Sequence, residues 1–323
     1  MISTRSAAAP TLPRYLRFIR YRELFFLQGT PLFGVAFTLG AVTMETGVTV
    51  ALFSLAGFCL LAHTFTFNDW AEFAADLRHP EKAGLLAARD ASRRELGVLS
   101  GVLLLIALLL FSVLSLRTLG LAVLLAMLGI VYSHPATHGK AVPVLSSALH
   151  LIAGELHFLL GYSLYGAIDR RGCLIGLFFA LTFAAGHLNQ EVRDHEGDRL
   201  NGLRTNAVTF TKTATFLAGL VLFTLAYAHL VVLAVGGFVP GVLGWLGLLY
   251  PVHLAWSIRT LRTGLTFESV SRFRDAYRAL YAVIGLAMLA ALLLDRAGGE
   301  RAPLRPPPPP PAVSRSLSTE RRG

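Results

Sequence analysis

Apolar residues in this chain come in blocks rather than stripes. Nine such blocks can be marked, at about 24–43, 48–67, 97–116, 118–134, 145–166, 172–188, 214–235, 237–257 and 277–294. A run of about 20 apolar residues is enough to cross the hydrocarbon of a bilayer. In lipid, a single segment satisfies its own backbone hydrogen bonds only as a helix. A helix of a soluble bundle would show one apolar face, whereas these blocks are apolar all round. Charged residues make up 15% of the chain, against about 25% in a soluble domain. The expected fold class is therefore all-α: a polytopic membrane protein with nine transmembrane helices over 24–295. A basic segment, 1–23, precedes it. A tail, 296–323, rich in Pro and Arg and with six consecutive prolines from Pro306, reads as disordered polyproline II chain.

The net charge of +10 would suggest nucleic acid in a soluble protein; here its distribution points to topology, and no nucleic-acid partner is expected. Nineteen Lys and Arg fall in the N-terminus and in loops 68–94, 135–144, 189–212 and 258–276, against three (Arg117, Arg170 and Arg171) in the intervening loops. By the positive-inside rule the first set is cytoplasmic, so nine crossings put the N-terminus inside and the C-terminus outside an inner or cell membrane. The stretch Arg14–Arg22 alternates basic and aromatic residues, which suits either a helix on an anionic membrane surface or a plain topogenic flank. Cys59 and Cys173 both sit in apolar blocks. They read as two buried thiols with no disulfide framework and no metal motif.

Chemistry concentrates after the second and sixth blocks. Asn68 is followed by Asp69, Glu72 and Asp76; Asn189-Gln190 is followed by Glu191, Asp194 and Asp198. Both trios have relative spacing 0, 3 and 7, which on a helix gathers three carboxylates on one face. Such crowding is repulsive unless a divalent cation rewards it, and Mg²⁺ takes one or two carboxylates together with substrate phosphates. Seven of the 19 acids fall in these two segments. At the edge of a bilayer they are costly unless used. The expected metal set is Asp69, Glu72, Asp76, Glu191, Asp194 and Asp198, gripping a diphosphate through Mg²⁺. Asn68, Arg78, Lys82, Lys140 and Arg193 lie in the same loops and are the expected phosphate-binding side chains, with Arg199 and Arg204 nearby. Tyr132 can donate a hydrogen bond beside the Lys140 point charge.

At these residues the chain resembles the UbiA-type intramembrane prenyltransferase superfamily. Its N-D-x-x-D-x-x-x-D signature is matched by Asn68, Asp69, Glu72 and Asp76, with Glu at the middle acid. Its D-x-x-x-D signature is matched by Asp194 and Asp198, with Glu191 three residues earlier and the usual continuation to Asn206. Its Tyr…Lys element is matched by Tyr132 and Lys140. The resemblance spans about residues 14–295. It implies nine transmembrane helices around a cytoplasm-facing cavity. It also implies Mg²⁺-dependent ionisation of an isoprenoid diphosphate, with capture of the allylic cation by a lipophilic acceptor (aromatic, quinone-precursor or carotenoid-like) and release of diphosphate. Catalytic roles then fall to Asp69, Asp76, Asp194, Asp198, Lys140 and Tyr132. Phe65, Phe67, Tyr132 and Phe183 are placed to flank the cation. One departure stands out: His79-Pro80-Glu81-Lys82-Ala83-Gly84 replaces the K-x-x-R-P run of many aromatic-prenylating members, and resembles the branch acting on carotenoid-type acceptors.

The fifth block carries His150, Glu155 and His157 in an otherwise apolar setting. They read either as an acceptor-binding or proton-accepting site or as an interhelical hydrogen-bonding group. His63 and His187 sit one turn before the acidic motifs, as partners to them or as packing residues. Rival functions are a phosphoribosyl-type transferase on the same scaffold, which would want a more polar pocket, and a transporter, which would place its polar residues near mid-membrane. A CDP-alcohol phosphotransferase would need D-G-x-x-A-R, which is absent.

Overall fold

The structure, a computed structural model, describes residues 18–77 and 92–297. Arg78, Lys82, most of the basic N-terminal stretch and the proline-rich tail lie outside the described residues. Every element among those described is helical: α1 Tyr21–Thr38, α2 Met44–Ala71, α3 Phe73–Asp76, α4 Arg93–Leu114, α5 Leu116–Ser133, a 3₁₀ turn Gly139–Ala141, α6 Leu145–Tyr162, α7 Arg170–Leu200, α8 Asn206–Phe210, α9 Lys212–Val235, a 3₁₀ run Gly241–Leu249 leading into α10 Tyr250–Arg262, and α11 Phe267–Ala297.

Seven of these segments are long and apolar enough to cross a membrane: α2, α4, α5, α7, α9, α10 with its 3₁₀ lead, and α11. The remaining long helices, α1 and α6, hold the polar residues Arg22, Glu23 and Gln28, and His150, Glu155 and His157, within 18 residues each. The outer faces are apolar, as lipid requires: Leu109 on α4, Val232 on α9 and Leu294 on α11 are all exposed. Phe53 and Phe111 meet edge to face, 5.9 Å apart, where α2 packs on α4. Local sequence sets several helix starts. Thr43 with Thr46, and Ser92 with Glu95, close reciprocal capping boxes at α2 and α4. Asp169 Oδ1 accepts from Gly172 N at 2.7 Å and from Tyr162 Oη at 3.1 Å, which joins the end of α6 to the start of α7.

Helix α1 lies against α6 at backbone distance. A Cβ on Gly34 would stand 2.5 Å from the Tyr162 amide nitrogen, and one on Gly161 would stand 2.6 Å from the Pro31 carbonyl carbon. Small residues allow such approach between membrane helices. The sequence expectation of two buried thiols is corrected in part: Cys59 is buried, but Cys173 is exposed, because it falls on the outward side of the first turn of α7.

Candidate active site

A cavity of about 1440 Å³ opens among α1, α2, α5, α6, α7, α9 and α11. One end is charged; the other is lined by aromatic and aliphatic side chains. Both acidic segments line the charged end, with Asp69, Glu72, Asp76, Glu191, Asp194 and Asp198 all on its wall.

The first segment is not one helical face. Helix α2 ends at Ala71, Glu72 sits at φ −92°, ψ 4°, and α3 restarts at Phe73. That bridge-region backbone turns Glu72 at a corner, with Asp69 on α2 before it and Asp76 on α3 after it. Asp69 is buried and ion-paired to Arg20, just before α1. Asn68 Oδ1 accepts from Ser133 Oγ at 3.2 Å, at the end of α5.

The second segment stays on the unbroken α7, and its three acids diverge. Asp198 faces the first segment. Asp194 takes a two-point hydrogen bond from its neighbour Arg193, 2.8 Å at each nitrogen, while the Arg193 guanidinium lies over Phe267. Glu191 turns inward to a set of donors: Ser146 Oγ at 3.0 Å, Asn206 N at 2.8 Å and Asn206 Nδ2 at 3.1 Å, with His187 Nε2 2.9 Å away. Asn206 also accepts from the Val144 amide at 2.7 Å. Val144 is held at φ +66°, a left-handed conformation that a β-branched residue adopts only when its surroundings impose it.

Lys140 joins the two segments. Its Nζ is 3.0 Å from Glu72 and 3.5 Å from Asp198. Burial pulls the ammonium towards neutrality, but Glu72 and Asp198 outweigh it and hold the pKa well above the ordinary 10.5. The 3₁₀ turn Gly139–Ala141 places it there. Gly139 lets that turn lie against α5, where a Cβ would meet the Val131 carbonyl at 2.5 Å.

Tyr132 is edge-on to His150 at 4.8 Å, and His150 stacks on His187 at 3.6 Å with an interplanar angle of 6°. These rings and Phe65 and Phe183 line the cavity. Phe67 does not; it packs against His63, Trp70 and His134. His63 bonds Ser100 on α4. Of the three polar residues expected to form one deep site, only His150 reaches the cavity wall. Glu155 lies against Gly176 in the α6–α7 contact, and His157 is buried in the core. Sequence reasoning missed Arg20 as a partner of the first segment, and Asn206 and Ser146 as partners of the second. It also missed Arg274 and Arg278 on the cavity wall; Arg278 pairs with Glu23 at 2.6 Å.

The donor chemistry suits Mg²⁺. Around Lys140 it is carboxylate oxygen from both segments, with an amide oxygen from Asn68 close by, as a hard cation prefers. Among the described residues no three His, Cys, Asp or Glu side chains converge tightly enough to hold an ion alone. An ion there needs ligands from elsewhere, which is how Mg²⁺ binds between a few carboxylates and phosphate oxygens.

The profile of the UbiA prenyltransferase family matches residues 30–273. No curated protein matches the chain in sequence. Several solved structures share its fold, among them the following three. A UbiA homolog from Archaeoglobus fulgidus bound to DMAPP and Mg²⁺ is 19% identical, with TM-score 0.66, 86% of this chain covered and 99% of that one. A digeranylgeranylglyceryl phosphate synthase is 17% identical, with TM-score 0.64 and coverage of 88% and 99%. An apo UbiA homolog from Aeropyrum pernix K1 is 18% identical, with TM-score 0.63 and coverage of 86% and 99%. With both signature segments on one cavity wall and three quarters of its length within the family profile, this chain belongs to the UbiA prenyltransferase family.

Proposed function

We propose that this protein transfers a prenyl group from an isoprenoid diphosphate to a lipophilic acceptor and releases diphosphate. The observation that carries this reading is Lys140, whose single ammonium touches an acid of each segment; one diphosphate can therefore span both. Asp69, Glu72, Asp76, Asp194 and Asp198 are the side chains to hold Mg²⁺, which when bound supplies positive charge against the diphosphate oxygens. Glu191 is the least suited of the six, since four donors already surround it. Lys140, Arg193 and Asn68 bind the diphosphate and steady the charge that grows on it as the allylic C–O bond breaks; Arg78 and Lys82 are assigned to it from their place in the motif loop. The bonding pair leaves with diphosphate, the acceptor supplies a new pair to the allylic carbon, and a proton leaves the acceptor. Tyr132, Phe65 and Phe183 offer ring faces to the cation. His150 is the polar group placed to meet the acceptor.

The apolar far end of the cavity favours an isoprenoid tail over a ribosyl group. The gathering of acids at one end favours an enzyme over a transporter. The topology that fits has α1 and α6 crossing along with the seven apolar helices, the acidic end cytoplasmic, the N-terminus inside and the C-terminus outside. The test is to incubate purified full-length protein with labelled prenyl diphosphates, membrane extract and Mg²⁺, and to identify the labelled product by mass. A prenylated lipid that disappears with EDTA is expected; no turnover of any prenyl diphosphate would overturn the reading.

A further inference from the structure

Two imidazoles line the cavity, and their contacts set them apart. His150 on α6 and His187 on α7 stack at 3.6 Å with their planes 6° apart. His187 is buried, and its Nε2 lies 2.9 Å from the Glu191 carboxylate. His150 is only half-buried. Its Nδ1 lies 2.8 Å from the Ser146 carbonyl, one turn earlier on α6. A carbonyl can only accept, so Nδ1 carries the hydrogen and Nε2 carries the lone pair. Nε2, at the opposite edge of the ring, points away from its own helix and bonds to nothing among the described residues. Tyr132 interacts with Lys140 on one side and meets the His150 ring at 4.8 Å on the other, and Phe183 lies 5.4 Å from that ring. His150 therefore stands one ring away from the diphosphate end, among the side chains that flank the allylic cation.

We infer that His150 is the base that takes the acceptor's proton. The inference deepens the prenyl-transfer reading above and rests on it. As the allylic C–O bond breaks, its pair leaves with diphosphate. A π pair of the acceptor then forms the C–C bond to the allylic carbon and leaves the acceptor positively charged. A C–H bond at or beside the attacked carbon breaks, its pair restores the acceptor's unsaturation, and the proton passes to Nε2 of His150. Diphosphate is the rival base, but Lys140 and Arg193 hold its oxygens, and an oxygen clamped by cations is a weaker base. The groups that face His150 from other helices are Tyr132 on α5 and His187 on α7. The new imidazolium lies stacked on His187, and the Glu191 carboxylate at the end of that second ring steadies its charge. Glu191 thereby gains a use that needs no metal.

The test uses purified full-length protein with Mg²⁺, labelled prenyl diphosphates and membrane extract as the source of acceptor, and it separates labelled lipid from labelled prenyl alcohol. Without the base, the first adduct falls back to the allylic cation and water captures it, so alcohol gains at the expense of lipid. His150→Phe should lower lipid formation by at least about 100-fold, the low end of general-base effects, and raise the ratio of alcohol to lipid by at least about tenfold. His150→Gln can hydrogen-bond but cannot hold a proton, and it should do the same. If His150→Phe unfolds, His150→Gln carries the test alone. Both losses should persist at saturating extract. Full activity in His150→Gln, a loss that more extract erases, or a parallel fall in lipid and alcohol would overturn the inference and leave the donor reading standing. A wild type that turns over no prenyl diphosphate would defeat the donor reading and this inference together.

Discussion

Two segments with the same acid spacing have become different devices. In the first, the helix breaks at Glu72 and its acids meet cations from elsewhere: Arg20 before α1 and Lys140 before α6. In the second, the helix runs on through Leu200, and three acids at the same intervals part company. Glu191 is drawn into a buried set of donors, Asp194 is clasped by its own neighbour, and only Asp198 faces across to Lys140. Identical intervals in sequence do not give identical roles. The backbone after the first acid, and the partners that distant segments supply, decide what each carboxylate does.

The strongest way to break this contrast is to remove one facing acid from each side. Asp69→Ala and Asp198→Ala should each lower prenyl-transfer turnover by at least about 100-fold, the scale of losing one preorganised charge contact to a developing anion. Full activity in either would dissolve the shared site. Next, Lys140→Met should cost about 10- to 100-fold in kcat/KM, since it strips a cation that touches both segments; a loss confined to thermal stability would make Lys140 a structural tie only. Glu191→Gln sharpens the contrast within the second segment. It should cost about 1–3 kcal/mol of stability, as expected when buried donors lose a charged acceptor. It should leave the Mg²⁺ concentration for half-maximal activity near that of the wild type, whereas Asp198→Asn should raise it. A matching rise in Glu191→Gln would return Glu191 to the metal set. The smallest effect on stability belongs to Asn68→Ala, which frees Ser133 and should cost about 1 kcal/mol by thermal melting, beside a rise in KM for the diphosphate.

Much of the architecture was legible because membrane helices announce themselves by length and composition. The weak blocks were α1 and α6, where polar residues dilute hydropathy because these helices face the cavity or each other. The site was half legible. Local spacing exposed both acidic segments and, through Tyr132 and Lys140, the loop that joins them. It could not expose what Glu191 meets, because Ser146 lies 45 residues away and Asn206 lies 15; such contacts are fixed by packing. Arg20 was counted among the cations that set topology, and only its position beside Asp69 distinguishes it from them. Glu155 and His157 showed the opposite failure. Polar residues in an apolar block drew a functional reading, but Glu155 stands about 140° round α6 from His150, and His157, on nearly the same face as His150, lies about 10 Å further along the helix, buried in the core.

The seam between Gly34 and Gly161 holds none of the acids of the two signature segments, yet it governs where α1 stands. That helix follows directly on Arg20 at the charged end and delivers Phe33 to the cavity wall. One added methyl at Gly161, already within 2.6 Å of the Pro31 carbonyl carbon, would lever the whole rod outward and shift both ends at once. The calibre of the chamber is thus gauged by two hydrogen atoms in the buried contact between α1 and α6, and selectivity can drift through changes that touch neither reactant.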